Sequence, residues 1–327
     1  MTDTETRRCL VTGATGYIGG LLVPQLLKHG HTVRALARTP AKIDDVPWRD
    51  QVEVAKGDLS DRDSLTAAFA DVDVVYYLVH SMGTSSDFER EEARSADNVV
   101  YAAKAAGVSR IVYLSGLHPP NAADLSKHLR SRTTVGEKLI ASGIETLVLQ
   151  AGIVIGSGSA SFEMIRHLTD RLPVMTAPRW VHNKVQPISI DDALYYLVEA
   201  ATATVSESRT WDIGSLDVLE YGDAMQVYAD AAGLRRRLIV GVPFLTPTIA
   251  SLWVGLVTPI PAGLARPLVH SLECDAIMHE HDIDDVIPRP PGGLTGYDQA
   301  VRDALKQDGT AGQRGRRSIM RFSSPAS

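Results

Sequence analysis

Apolar positions along this chain fall into two alternating rhythms. Short apolar runs at Leu10 to Thr12, Thr32 to Leu36, Val52 to Ala55, Val72 to Val79, Ile111 to Leu114 and Thr146 to Leu149 read as strands. Between them, apolar residues recur at helical spacing around Leu21 to Lys28, Ser64 to Phe69, Glu91 to Ala106 and Val135 to Ala141. Strand and helix in repeated alternation predict an α/β protein, a doubly wound parallel sheet covered on both faces. The punctuation agrees. Ser60 with Asp63 three residues on reads as a capping box, and Gly107 and Gly143 each close a helical run just before a strand. Pro24 counts against a regular first helix, because an interior proline removes a backbone bond.

After Gly156 the rhythm loosens. A Gly/Ser turn, Gly156 to Ser159, leads into a helix from about Ala160 to Arg171 and then a loop holding Pro173, Pro178 and Trp180. Asp191-Asp192 open another helix with Leu194, Leu197 and Val198 on one face, and a short strand follows near Trp211 to Ile213.

The sharpest local signal is Thr12-Gly13-Ala14-Thr15-Gly16-Tyr17-Ile18-Gly19-Gly20, directly after Cys9-Leu10-Val11. A strand that stops abruptly before a helix whose first N–H groups face an anion needs a turn without Cβ atoms in the way. Gly13, Gly16 and Gly19 meet that need, and Ile18, Leu21, Leu22 and Leu26 carry the helix on. The stretch reads as a dinucleotide pyrophosphate clamp, with Thr15, Tyr17 and Ile18 among the residues at the phosphates. This gives a Rossmann domain over 7–215 with lid segments at about 157–190. A smaller C-terminal substrate-side subdomain is expected over 216–308 and a disordered basic tail over 309–327.

Composition narrows the setting. With 44% apolar residues the chain can bury a substantial core, and a formal charge of −6 argues against a general nucleic-acid partner. Two cysteines, Cys9 and Cys274, give neither a disulfide framework nor metal spacing, and the polar start from Met1 to Arg8 lacks a signal-peptide core, so a cytoplasmic setting is expected. His279-Glu280-His281-Asp282 has metal-compatible chemistry but no ligand spacing, so no metal is expected. From Leu238 to Ala265 no charge appears, yet Pro243, Pro247, Pro259 and Pro261 leave pieces too short to span a bilayer. That stretch reads as buried packing or dimer contact, with weak membrane-surface contact through Trp253 and its neighbours as the other reading.

NAD sites of this fold place an acid at the end of the second strand to bind the ribose hydroxyls. Here Val33-Arg34-Ala35-Leu36-Ala37 ends in Arg38-Thr39, and an arginine there suits a 2′-phosphate. The expected cofactor is therefore NADP(H), with NAD(H) as the alternative. Lys42 adds positive field, whereas Arg34 points elsewhere if the strand alternates. Gly57-Asp58-Leu59 would lie near the adenine, and Val79, His80 and Ser81, at the end of the fourth strand, along the cofactor toward the nicotinamide.

Taken together, the clamp, Gly57-Asp58-Leu59, Ile111 to Gly116 and Gln186 to Asp192 resemble the extended or atypical short-chain dehydrogenase/reductases, particularly the NmrA-like NAD(P)H-binding proteins. His128-Leu129-Arg130-Ser131-Arg132 with Val135-Gly136-Glu137, then Gly152 to Ser159, resemble a bacterial branch with a DUF2867-type C-terminal region, to which Trp253 to Leu272 is similar. The resemblance implies a Tyr and a Lys four residues apart on the helix after the fifth strand, with a Ser nearby. Lys138 falls at a plausible place, but Thr134 stands four residues before it and cannot act as that acid. Ser115, Lys138 and Glu137 are the candidate catalytic residues, with Arg130, Arg132 and His80 as other proton carriers and Arg166, Trp180 and Gln186 as substrate-side residues. Three functions stay open: an NADP(H)-dependent reductase, or a related epimerase-type enzyme, of a small unknown substrate and lacking the usual dyad; a non-catalytic NAD(P)-responsive sensor or scaffold; and a peripheral membrane assembly factor. A homodimer is a family-level expectation.

Overall fold

Seven parallel strands form the central sheet of the computed structural model, which describes residues 5–79, 87–121, 125–241, 269–270 and 272–313. In chain order these are β1 (Arg8–Thr12), β2 (Thr32–Ala37), β3 (Glu53–Lys56), β4 (Val74–Tyr77), β5 (Arg110–Gly116), β6 (Glu145–Ala151) and, later, β11 (Arg209–Ile213). Their spatial order is β11-β6-β5-β4-β1-β2-β3, so the strand order reverses between β1 and β4. Crossover helices α1 (Tyr17–Lys28), α2 (Arg62–Ala68), α3 (Phe88–Ala106), α4 (Lys127–Ile140) and α6 (Ile190–Glu199) cover both faces, while α5 (Ala160–Arg171) joins a second cluster. The doubly wound α/β architecture is the one the alternation predicts.

Strand alternation explains how one strand serves two cores. Cys9 and Val11 of β1 pack with Leu22, Val23 and Leu26 of α1 and Leu197 of α6, whereas Leu10 between them packs with Leu65, Val99 and Leu139 of α2, α3 and α4. Each such fully buried leucine or valine contributes about 1.5–3 kcal/mol.

Helix α1 runs through Pro24 without ending. The proline leaves the Gly20 carbonyl, four residues earlier, without its helical N–H, and the Trp48 indole N–H donates to that oxygen at 3.1 Å. Trp48→Phe keeps an aromatic ring but orphans the carbonyl. It is expected to cost about 1–2 kcal/mol, read as a lower denaturation midpoint with an unchanged m-value.

Two boundaries differ from the sequence reading. Asp61, not Ser60, caps α2 by accepting from the Asp63 amide, because the Ser60 hydroxyl is spent on Asp58 Oδ1 at 2.8 Å. Helix α4 begins at Lys127 rather than Val135, since Ser126 caps it by accepting from the Leu129 N–H and its first turns are polar enough to hide the period. Gly107 and Gly143 do close their helices, with φ of 72° and 80°.

Beyond β6 lie short strands β7 (Val154–Ile155), β8 (Val174–Ala177), β9 (Lys184–Val185), β10 (Ile188–Ser189), β12 (Leu219–Glu220) and β13 (Leu238–Gly241). Helices α7 (Tyr221–Ala231), α8 (Ile283–Val286) and α9 (Tyr297–Gln313) complete the described chain. A second core gathers Phe162, Ile165 and Leu168 of α5 with Met175, Trp180, Met225, Tyr228 and Val301, so the 157–190 segment and the C-terminal part share one apolar cluster. The tail expected from residue 309 is helical through Gln313, as the last turn of α9, and residues 314–327 lie outside the described residues. Most of Trp253 to Leu272 lies outside them too. No described helix is long and apolar enough to cross a membrane.

Candidate functional site

The crevice lies at the carboxyl ends of β1, β4 and β5, where the strand order reverses. Gly13 turns the chain there with φ of 69°, and a Cβ on it would meet the Leu78 carbonyl and the Val79 side chain at 3.3 Å. Thr12 ties the two strand ends together, its hydroxyl donating to the Tyr76 carbonyl and accepting from the Leu78 amide. Gly19 is tighter still. A Cβ there would stand 2.3 Å from the Gly13 carbonyl oxygen, so only glycine lets α1 start against the turn.

Helix α1 begins after Gly16 with no side-chain cap and no acidic residue in its first turn. Thr15 and Gly16 are exposed at its head. The first-turn N–H groups, those of Tyr17, Ile18 and Gly19, have no partner within the helix and face the crevice end, which is where an anion would be held. The Tyr17 side chain turns away: it packs against Gly156 and Ile190, and burial, then Asp191, Glu163 and Asp308, push its phenol well above the usual range. Tyr17 therefore offers the crevice its backbone, not its ring.

Arg38 is exposed just past β2, and no hydrogen bond or ion pair engages its guanidinium among the described residues. Lys42 is exposed nearby. Arg34 is engaged elsewhere, with Glu53 at 2.7 Å and the carbonyls of Ala68 and Ala70, because it sits four residues back along β2 from Arg38, away from the carboxyl end of the strand. Asp58 follows β3 half-buried with Oδ1 accepting from Ser60, and Leu59 is buried in the core with its carbonyl accepting from Asn98. Leu59 thus has only backbone to give a ligand. Val79 is half-buried beside Gly13, and His80 and Ser81 lie outside the described residues.

Helix α4 runs back from the crevice, so its first turns stand at the mouth and its last at the opposite end of the sheet. Lys138 is eleven residues past Lys127, about 16 Å down the helix. It pairs there with Asp97 of α3 at 2.7 and 3.0 Å. Glu137 beside it is exposed. This placement takes Lys138 and Glu137 out of the crevice, and the reason is the helix start: counted from Lys127 rather than Val135, both fall in its last turns. Ser115 is at the right end, buried on β5 next to the Tyr113 phenol, which burial holds well above its usual range and which donates to the Arg132 carbonyl at 3.3 Å.

What α4 brings to the mouth is His128 and Arg132, four residues apart on one face. The Arg132 guanidinium reaches Gly116 at the end of β5, close enough that a Cβ there would stand 3.3 Å from it, and no carboxylate pairs with it among the described residues. His128 stacks on Phe88, ring centroids 4.5 Å apart, and burial, then Arg132 and His270, hold its imidazole below the usual range. Arg130 faces outward to Glu89. Sequence reasoning did not find His118, which follows β5: Nδ1 donates to the Pro119 carbonyl at 2.8 Å, leaving Nε2 to accept from the Gln150 amide at 2.9 Å. Its signal was position alone, two residues past a strand end.

The expected substrate-side residues are committed to structure. Arg166 pairs with Asp308 and Glu163, Trp180 is buried edge-on to Tyr221, and Gln186 bridges Ser215 and Met278. The acidic cluster near residue 280 also knits the fold, Glu280 accepting from the Asp212 N–H and Asp212 from the His279 N–H. No group of three or more metal-ligating side chains occurs among the described residues.

An uncapped helix behind a glycine cradle, at the reversal point of a doubly wound sheet, defines a Rossmann-type dinucleotide-binding protein. Residues 13–153 match the model of an NAD(P)H-binding family, a likeness in keeping with the atypical short-chain dehydrogenase/reductases. A 3 beta-hydroxysteroid dehydrogenase/Delta 5→4-isomerase of Mycobacterium tuberculosis is 33% identical over 154 residues, 44% of this chain but only 37% of that protein's length. A 4-hydroxy-2-methyl-3-oxo-4-farnesyl-3,4-dihydroquinoline-1-oxide ketoreductase of Stigmatella aurantiaca is 27% identical over 94% of this chain and 98% of its own. Among solved structures, the Citrobacter sp. triphenylmethane reductase complexed with NADP(H) superposes with a TM-score of 0.70 at 21% identity, covering 91% of this chain and all of that one. The NADPH-dependent quinone oxidoreductase of Escherichia coli gives 0.69 at 20% identity, over 91% and 99%. These two likenesses establish the fold.

Proposed function

We propose that the protein is an NADP(H)-dependent reductase of an apolar carbonyl compound. The cofactor half is supported by the glycine cradle and by the unpaired Arg38 at the end of β2, the cation a 2′-phosphate requires. The reductase half is supported by the full-length alignment with the S. aurantiaca ketoreductase, whose named substrate carries a farnesyl chain. When bound, the cofactor supplies a hydride. The first-turn amides of α1 hold its pyrophosphate, Arg38 its 2′-phosphate, and Asp58 marks the adenine side. Arg132, fixed beside Gly116, stabilises negative charge as it develops on the substrate oxygen. Ser115 and His118 line the strand ends beside it.

The test separates two lysine-like candidates. Lys138→Met is expected to leave NADPH affinity and turnover within about twofold, because its half-exposed pair with Asp97 is worth at most about 1 kcal/mol. Arg132→Met is expected to lower turnover of an apolar ketone or quinone by about 10²-fold with little change in melting temperature. The reverse pattern would return Lys138 to the site. A second reading, a nucleotide-responsive binding protein, is favoured by one observation: no tyrosine lies on α4. NADPH that binds and is never consumed across a panel of apolar ketones and quinones would select it.

A further inference from the structure

Strands β8 and β13 form a two-stranded parallel ribbon apart from the central sheet. Register sets Val174 beside Leu238 and Thr176 beside Val240, so these four share a face, and Met175 and Ile239 point the other way into the second core. The outward face is unusually apolar for solvent: Val174, Leu238 and Val240 are 57%, 59% and 45% exposed. Both ends of the ribbon are basic. Arg235 and Arg236 lie three and two residues before β13 starts at Leu238, and Arg179 follows β8 by two residues; all three are exposed, and no ion pair or hydrogen bond engages their side chains among the described residues. Arg237 between them and the strand is used internally, donating to the Thr169 carbonyl. The sequence continues the pattern, uncharged through Ala265 with Trp253 within it, and the next charge is again basic, Arg266.

We propose that this face docks in the plane of an anionic lipid surface, the ribbon's apolar side chains entering the headgroup boundary and Arg235, Arg236 and Arg179 meeting lipid phosphates. Apolar residues flanked by unpaired cations are what such an interface selects. A second copy of the chain is the less suited occupant, since a symmetric pairing of this patch would set like charges against each other. The inference does not depend on the reductase reading.

The experiment is co-sedimentation of the full chain with vesicles of phosphatidylcholine alone and of equal parts phosphatidylcholine and phosphatidylglycerol. The protein is expected to sediment with the second and not the first, and to be released by high salt. Arg235→Glu with Arg236→Glu should lower the partition coefficient by about tenfold or more. Leu238→Thr with Val240→Thr, which keeps strand propensity on an exposed face, should lower it severalfold with an unchanged melting temperature. A chain that stays in the supernatant with both vesicles overturns the proposal, as does one whose binding ignores the arginine reversals. A lipid-free dimer that the Leu238 and Val240 changes dissociate also overturns it, and gives the face to a second copy.

Discussion

Gly19→Ala is expected to abolish NADPH binding at concentrations that saturate the native chain and to lower the melting temperature by several degrees. The added Cβ would stand 2.3 Å from the Gly13 oxygen, 2.8 Å from its carbonyl carbon and 2.9 Å from Ala14 Cα, all backbone atoms with no rotamer to give. Relief requires the head of α1 to move away from the turn. Overpacking of this kind costs about 1–3 kcal/mol in stability. The binding loss is larger, because amides shifted out of reach forfeit charge-assisted hydrogen bonds of about 1.5–3 kcal/mol each, and two of them amount to a factor of roughly 10²–10⁴. Gly30→Ala is the control: its φ of 85° makes it strained, yet nothing lies within 4 Å of the added atom, so it should lower stability without weakening NADPH. Calorimetric titration of both variants, with thermal melts alongside, separates the two effects.

Arg38→Asp is expected to reverse cofactor preference. The wild-type guanidinium is exposed and unpaired among the described residues, so its removal breaks no internal contact and the fold should melt as before. Two parallel charge-assisted bonds to a 2′-phosphate are lost and a carboxylate repels it, which should weaken NADPH by about 10²-fold or more. The same carboxylate can accept from ribose hydroxyls, so NADH should hold or improve. An unchanged preference for NADPH would remove Arg38 from the site.

The clamp was legible because its chemistry is local: a strand end, a Cβ-free turn and a helix head must be contiguous, so the glycines sit within seven residues of one another. Arg34 was expected to point elsewhere and does, but its partner Glu53 is set by the pairing register of β2 with β3, which the sequence does not reveal. Trp48 was not legible, because the carbonyl it satisfies became an orphan through Pro24, and only the folded chain brings the indole to Gly20. Arg166 looked like a substrate-facing cation until α9 delivered Asp308, 142 residues away, against it. Helix α4 shows the subtler limit. Its polar first turns concealed where it starts, and without the start the spacing around Lys138 could not say how far from the crevice end that lysine falls.

Calorimetric titration of the native chain with NADPH and, separately, NADH addresses the central claim most directly. The account predicts one saturable site, with NADPH binding at least about tenfold tighter because of the 2′-phosphate contacts to Arg38. No saturable heat with either nucleotide would contradict it.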